Sequence, residues 1–182
     1  AGSQPSSGGA WAPTLAESQL NGSLQLKEPI ACSEAERSQF ALLVRQGFEG
    51  SDAGLVDRIR DAKRLAFYYA SGSLLAAIAA LKAPSERYRD DVFEKAHACA
   101  NPADYTCELG WVFVVGVHRG NRIAGRLCQR LLAGVGSCGV LATTRSNNTS
   151  MIRILRALDF ARVGVPYPRG GEELVLFLRS PT

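Results

Sequence analysis

Residues 107–127 read C-E-L-G-W-V-F-V-V-G-V-H-R-G-N-R-I-A-G-R-L, and the change of character partway along this stretch decides the fold. Cys107 to Val117 is almost continuously apolar and rich in valine and aromatics, the pattern of a strand covered on both faces. Ile123, Ala124, Leu127, Cys128, Leu131 and Leu132 then repeat at the spacing of one helical face, and Gly134 and Gly136 end the run. The spacing predicts a helix beginning at Asn121, directly after the strand. A helix start leaves about four amides without internal partners and carries partial positive charge, so it suits phosphate oxygens. Gly120 and Ala124 keep the approach open. Arg119, Arg122 and Arg126 crowd the same end and oppose the macrodipole by roughly 0.3–1 kcal/mol each, a conflict that an anion relieves.

Downstream, Gly139 to Thr144 reads as a short strand, which completes a β-α-β unit with parallel strands and a right-handed crossover. An amphipathic helix is predicted from Asn148 to Leu158. Two strand-like runs, Phe160 to Tyr167 and Glu173 to Arg179, close the chain as an antiparallel hairpin through Pro168-Arg169-Gly170-Gly171. Upstream, Ser23 to Ile30 reads as a strand, and Ser33 as the N-cap of a helix running toward Gly47. A second helix is expected from Ser51 or Asp52 through Ile59. Arg64–Ala70 and Ser73–Leu81 form a hairpin about Ser71-Gly72, and a polar helix spans Glu86 to Ala100. Nothing in that last helix suggests chemistry. Residues 1–22, rich in Gly, Ser and Pro, read as a flexible leader, and residues 23–182 as one domain.

The 182 residues are 46% hydrophobic and 21% charged, enough apolar material for one sizeable core. A net charge of +4 fits an anionic small molecule, a nucleic acid or a membrane surface about equally, so charge alone separates nothing. No stretch approaches the ~20 apolar residues of a membrane span, and no membrane partner is expected. The five cysteines form no C-x-x-C pair, and their odd number argues against a complete disulfide framework, which points to a reducing, cytoplasmic setting. Cys107, Cys128 and Cys138 lie in apolar patterns, where free cysteine acts as a small hydrophobe. A metal pair of His97 with Cys99 is outweighed by that reading, and no metal is expected.

The arginine-rich junction contains neither G-K-[ST] nor G-x-G-x-x-G, so neither an NTPase nor a dinucleotide enzyme is indicated. It resembles the pattern [QR]-x-x-G-x-[GA] that follows an E-L-G-W-V-x-V strand in N-acetyltransferases of the GNAT superfamily. Glu108 to Val114 and Arg119 to Ala124 carry the likeness, with Arg122 at the inner glycine position. Asn148 to Phe160 is similar to the family's second signature, an Asn opening a helix that ends at Gly-Phe, with Asp159 in place of the glycine. The order of elements extends the resemblance over about residues 24–180.

This resemblance implies an α/β fold with a mixed, mostly antiparallel sheet, helices on both faces, and two parallel strands splayed at an acyl-CoA site. It implies that pantetheine pairs with the backbone of Val112, Phe113 and Val114. The pyrophosphate would sit on amides of Arg119, Gly120, Asn121, Arg122, Ile123, Ala124 and Gly125, and Asn148 would face the thioester. The implied co-substrate is acetyl-CoA, and the implied acceptor is the amine of a small molecule or peptide. Glu108, the one carboxylate in the apolar strand, is the candidate general base. The family's usual tyrosine acid is replaced by Leu155, so the departing thiolate would take its proton from water or from another donor such as Tyr167. Acceptor selection maps by resemblance to Gly47–Gly54, with Glu49 and Asp52, and to Pro166–Glu172, with Arg169. The closing hairpin offers an edge strand through which a homodimer could form.

Two other classes compete with an enzyme. A CoA-thioester-binding sensor of the same fold is compatible with Arg122, Leu155 and Asp159. Nucleic-acid binding by the arginine stripe lacks a stacking platform, because Trp111 and Phe113 fall in the buried run, so no nucleic-acid partner is expected. A Cys–His or Ser–His nucleophile has only His97 and His118 to draw on.

Overall fold

The computed structural model describes residues 22–48 and 53–181; nearly all of the expected leader, together with Glu49, Gly50, Ser51 and Asp52, lies outside the described residues. Strand β1 (Ser23–Lys27) leads into α1 (Glu34–Gly47), where Ser33 Oγ accepts from the Glu36 amide and the Glu36 carboxylate accepts from the Ser33 amide. This reciprocal cap satisfies the orphan donors at the helix start. Helix α2 (Leu55–Arg60) begins later than the sequence suggests, after Gly54 in a left-handed conformation at φ +70°.

Strands β2 (Arg64–Ala70) and β3 (Leu74–Lys82) form the expected hairpin, joined by a 3-10 turn at Ser71–Ser73. Helix α3 (Glu86–Lys95) is capped by Ser85 and is shorter than its polar pattern suggests. His97 turns left-handed at φ 50° just past its end, which stops the helix. Strand β4 (Cys107–Val114), α4 (Ile123–Leu132), β5 (Val140–Arg145), α5 (Thr149–Ala157), β6 (Ala161–Arg169) and β7 (Glu172–Arg179) complete the chain.

The seven strands form one sheet in the order β1-β2-β3-β4-β5-β7-β6, antiparallel throughout except between β4 and β5. Alternation along the strands divides the core. Ala77, Ala79 and Leu81 of β3 join Val140 and Ala142 of β5 in packing with Leu127, Leu131 and Leu155 from α4 and α5. Ile78 and Ala80 turn the other way, onto Phe40, Val44 and Ile59 of α1 and α2. Leu141, Leu176 and Leu178 share that second face with Val92 and Phe93 of α3. Helices therefore cover both faces, and the mixed, mostly antiparallel α/β architecture expected from the sequence is the one observed. Among the described residues no helix is long and apolar enough to cross a membrane.

The edge strand β6 departs from its partner: Val163 faces Leu176 and Tyr167 faces Leu174, so β6 spends four steps where β7 spends two. The excess arches toward α3, and the Val165 amide donates to Ala96 O at 2.8 Å. Gly164 makes this approach feasible, with φ +64° and a Cβ position only 1.9 Å from Ala96 O. Gly164→Ala combines a left-handed backbone with a collision against main chain, and should cost about 3 kcal/mol of stability. The urea midpoint of the purified variant measures this, and an unchanged midpoint would show that the arch can relax.

Candidate functional site

The site is set by a failure of pairing. Strand β4 follows β3 to its end, with Val114 opposite Ala77, yet it pairs with β5 only at Cys107↔Val140 and Glu108↔Leu141. Beyond that point the ladder stops while β5 keeps β7 on its other edge, so among the described residues β4 from Leu109 onward offers an unpaired edge to the gap. Such an edge presents free N–H and C=O groups to any extended ligand of amide character.

A bulge shapes this edge. Gly110 faces Ala80 and Phe113 faces Ile78, so β4 carries one residue more than β3, and Trp111 sits at φ 50°. Packing pays for an aromatic residue in that conformation: the Trp111 ring lies edge-on to Phe40 with centroids 6.0 Å apart. The extra residue turns Trp111 and Phe113 toward α1 and α2 and leaves Val112 and Val114 on the α4 face. All four remain only partly buried beside the gap.

At the open end, the chain does not pass straight into a helix as the spacing predicts. A 3-10 turn at Gly116–His118 and a further loop intervene, and α4 starts at Ile123 rather than Asn121. Asn121 instead turns its Nδ2 to His118 O at 3.2 Å, and the Arg119 Nε donates to Val114 O at 3.0 Å, with the guanidinium over the Phe113 ring. Helices α1, α3 and α5 each begin under a side-chain cap, whereas Arg122 at the start of α4 provides none. Arg126 is the first α4 amide to bond back to the chain, on Arg122 O, so helix geometry leaves the amides of Ile123, Ala124 and Gly125 facing outward. Among the described residues, a Cβ at Gly116, Gly120 or Gly125 would meet nothing within 4 Å, so they leave this corner open. Arg122 has φ 56°, the left-handed conformation in which a glycine is at ease, and Asp159 before Phe160 has φ 64°.

At the closed end, Glu108 is buried with 4% of its surface exposed. Lys82, its cross-strand partner, places Nζ 2.8 Å from Glu108 Oε1 and lies over the Trp111 ring at 5.0 Å. Gly110 leaves room for that lysine, since a Cβ there would come within 2.7 Å of Lys82 Cε. The Tyr88 hydroxyl of α3 donates to the same Oε1 at 3.2 Å and lies beside Thr143 of β5. Tyr88 thus spans the two strands where they part. Burial, and then the negative charge of Glu108, push its phenol above the usual range, while Arg169 stacks over its ring at 4.8 Å.

Sequence reasoning missed Lys82 and Tyr88. Lys82 meets Glu108 only through the register of β3 on β4, and Tyr88 gave no signal within its polar helix.

Tyr167 lies beneath α3 with 2% exposure and a buried hydroxyl that has no hydrogen-bond partner among the described residues. Burial pushes its phenol up to about 12, with Arg169 opposing. Asn148 caps α5, its Oδ1 accepting from the Met151 amide at 3.1 Å. Leu155 is fully buried in the core between α4, α5 and the sheet. The structure thus gathers Glu108 with Tyr88 and Lys82 at the vertex and the outward amides at the mouth. Among the described residues no group of three or more His, Cys, Asp or Glu side chains gathers as a metal site. Of the acceptor loop, Glu49 and Asp52 lie outside the described residues.

One parallel pair that opens into a gap, with an uncapped helix start at its mouth, is the architecture of the GNAT fold. An acyl-CoA N-acyltransferase from Pseudomonas aeruginosa superposes with a TM-score of 0.62 at 12% identity, over 87% of this chain and 99% of its own. A GNAT-family acetyltransferase from Streptococcus agalactiae gives 0.63 at 19% identity over 87% and 96% of the two chains. Arabidopsis thaliana NAA60 in complex with acetyl-CoA gives 0.61 at 15% identity over 86% and 98%. The chain has the GNAT fold. No protein-family model and no curated protein sequence matches it.

The buried Tyr167 phenol and the partly buried Tyr88 phenol make stability fall in alkali. A group whose folded pKa is raised holds its proton longer in the native state, so the stabilisation is present below about pH 10 and is lost as pH rises toward about 12 for Tyr167. Denaturation at stepped pH should show a loss on the order of 2 kcal/mol over that window, reduced in Tyr167→Phe. A flat profile between pH 9 and 11.5, chosen to bracket the roughly pH 10 onset, contradicts the burial argument.

Proposed function

We propose that the protein is an N-acyltransferase that moves an acetyl group from acetyl-CoA directly to an amine acceptor, a small molecule or a peptide amine. The observation that carries this reading is the uncapped start of α4 at the open end of the β4/β5 gap, kept clear by Gly116, Gly120 and Gly125. The Arg119 amide donates to Gly116 O at 3.1 Å, so of the expected Arg119–Gly125 cradle the pyrophosphate would lie on the amides from Gly120 to Gly125, with Arg122 adding positive charge, and the pantetheine amides would pair with Val112, Phe113 and Val114. Asn148, already spent on its helix cap, would meet the thioester end through whatever its amide group has left.

In the reaction, the neutral amine nitrogen attacks the thioester carbon, the C–S bond breaks, and the proton lost by nitrogen balances the proton gained by the departing thiolate. Glu108 is the proposed base. Its station at the vertex supports this, with Lys82 and Tyr88 fixing Oε1. Tyr88 acts as a positioning residue through Glu108. Tyr167 keeps its proton at neutral pH and is the proposed, more remote donor.

A second reading, a GNAT-fold domain that binds CoA thioester without turnover, is favoured by the Lys82–Glu108 ion pair and by Leu155 in the core. Calorimetry with acetyl-CoA, followed by CoA release against an amine panel, separates the two. Binding with acceptor-dependent release supports the enzyme; binding alone supports the sensor; no binding at millimolar acetyl-CoA removes both. In the enzyme, Glu108→Gln should lower kcat about a hundredfold with little change in KM for acetyl-CoA, and Tyr88→Phe about tenfold. An active E108Q enzyme would exclude Glu108 as the base. Arg122→Gly preserves the left-handed backbone while removing a cation, and should weaken acetyl-CoA binding by less than about tenfold, because the amides carry most of the contact.

A further inference from the structure

The vertex of the gap has a second device on its opposite face, independent of any acyl transfer. Cys107 opens β4 and Cys138 ends the turn before β5, and their Sγ atoms lie 2.8 Å apart although both are free thiols. A disulfide needs about 2.05 Å, so less than an ångström of movement separates contact from bond. The segments that carry them are already held together, because the Gly139 amide donates to Asp104 O at 2.9 Å and Cys107 faces Val140 across the ladder. Accessibility is unequal: Cys107 is 1% exposed, whereas Cys138 is partly open to solvent. The Lys63 ammonium, on an exposed residue, donates to Cys107 Sγ at 3.1 Å.

We propose that Cys138 and Cys107 are a thiol–disulfide pair, which a low-molecular-weight disulfide such as oxidised glutathione closes into a staple across the base of the β4/β5 gap. Cys138, the accessible thiol, loses its proton to solvent and attacks one sulfur of the small disulfide. That S–S bond breaks, one small thiolate leaves and is protonated, and a mixed disulfide remains on Cys138. Cys107 then loses its proton, stabilised as thiolate by Lys63, and attacks Cys138 Sγ, expelling the second small thiol. Two protein thiols have given up two electrons and two protons, and one small disulfide has become two thiols. Burial holds the Cys107 thiol above its ordinary range, and Lys63 opposes this, so the second step is the slow one and quickens with rising pH.

The test uses the full chain with Cys99→Ser, which removes the exposed thiol able to link molecules. Oxidised glutathione at millimolar concentration should lower the denatured thiol count by two, and digestion should yield one peptide joining Cys107 to Cys138, both reversed by dithiothreitol. The link joins residues 31 positions apart and should raise Tm by roughly 10 °C. Lys63→Met should accumulate the glutathione adduct on Cys138 and slow closure about tenfold. An unchanged thiol count, or an adduct on Cys138 that Cys107 never resolves in the chain with Lys63 intact, overturns the pair. Closure at an unchanged rate in K63M overturns the role given to the lysine. None of these readouts depends on acetyl-CoA, so they stand or fall apart from the proposed acyl transfer.

Discussion

The structure turns on β4 being bonded along one edge only beyond Glu108. Its hydrogen bonds to β3 anchor it in the sheet, while its ladder with β5 stops after Glu108↔Leu141. A strand with one free edge inside a sheet carries unmet main-chain groups, a cost a protein bears only where water or a ligand meets them. The surroundings accommodate that split: an inserted residue at Trp111 bends β4, β5 gives its whole length to β7, and the chain beyond β4 loops before α4 begins. The mouth and the vertex of the gap are consequences of the same interrupted ladder.

Much of this was legible in the amino-acid order because the relevant patterns are local. Short apolar runs bounded by turn residues and faces of period 3.6 marked nearly every strand and helix. The departures from the family's glycines at Arg122 and Asp159 looked like flaws in the pattern, and the backbone shows both in the left-handed conformation that glycine would adopt. An asparagine or aspartate tolerates that conformation through its short polar side chain; an arginine does so at a cost of about 1 kcal/mol. The position specified a dihedral angle, and more than one side chain meets it.

What the sequence could not reveal is long-range. The contacts Lys82–Glu108, Tyr88–Glu108 and Cys107–Cys138 join residues from different elements, and each depends on a register that no periodicity encodes. Helix lengths and starts failed for a related reason. Helix α3 stops at Lys95 because His97 turns left-handed, and α4 starts two residues late because Arg122 turns left-handed at φ 56° and keeps Asn121 in the loop. Neither residue type announces such a turn.

The arch in β6 has a mechanical corollary. Its Val165 amide grips the end of α3 at Ala96, while Arg169, further along the same strand, covers the Tyr88 ring near the start of α3. The outermost strand therefore holds α3 at both ends, like two fingers on a lever whose midpoint rests on the sheet. Drift in the sequence of this peripheral hairpin would tilt α3 and move the Tyr88 hydroxyl relative to Glu108, so the rim of the molecule can retune its centre without any change in the residues that line the gap.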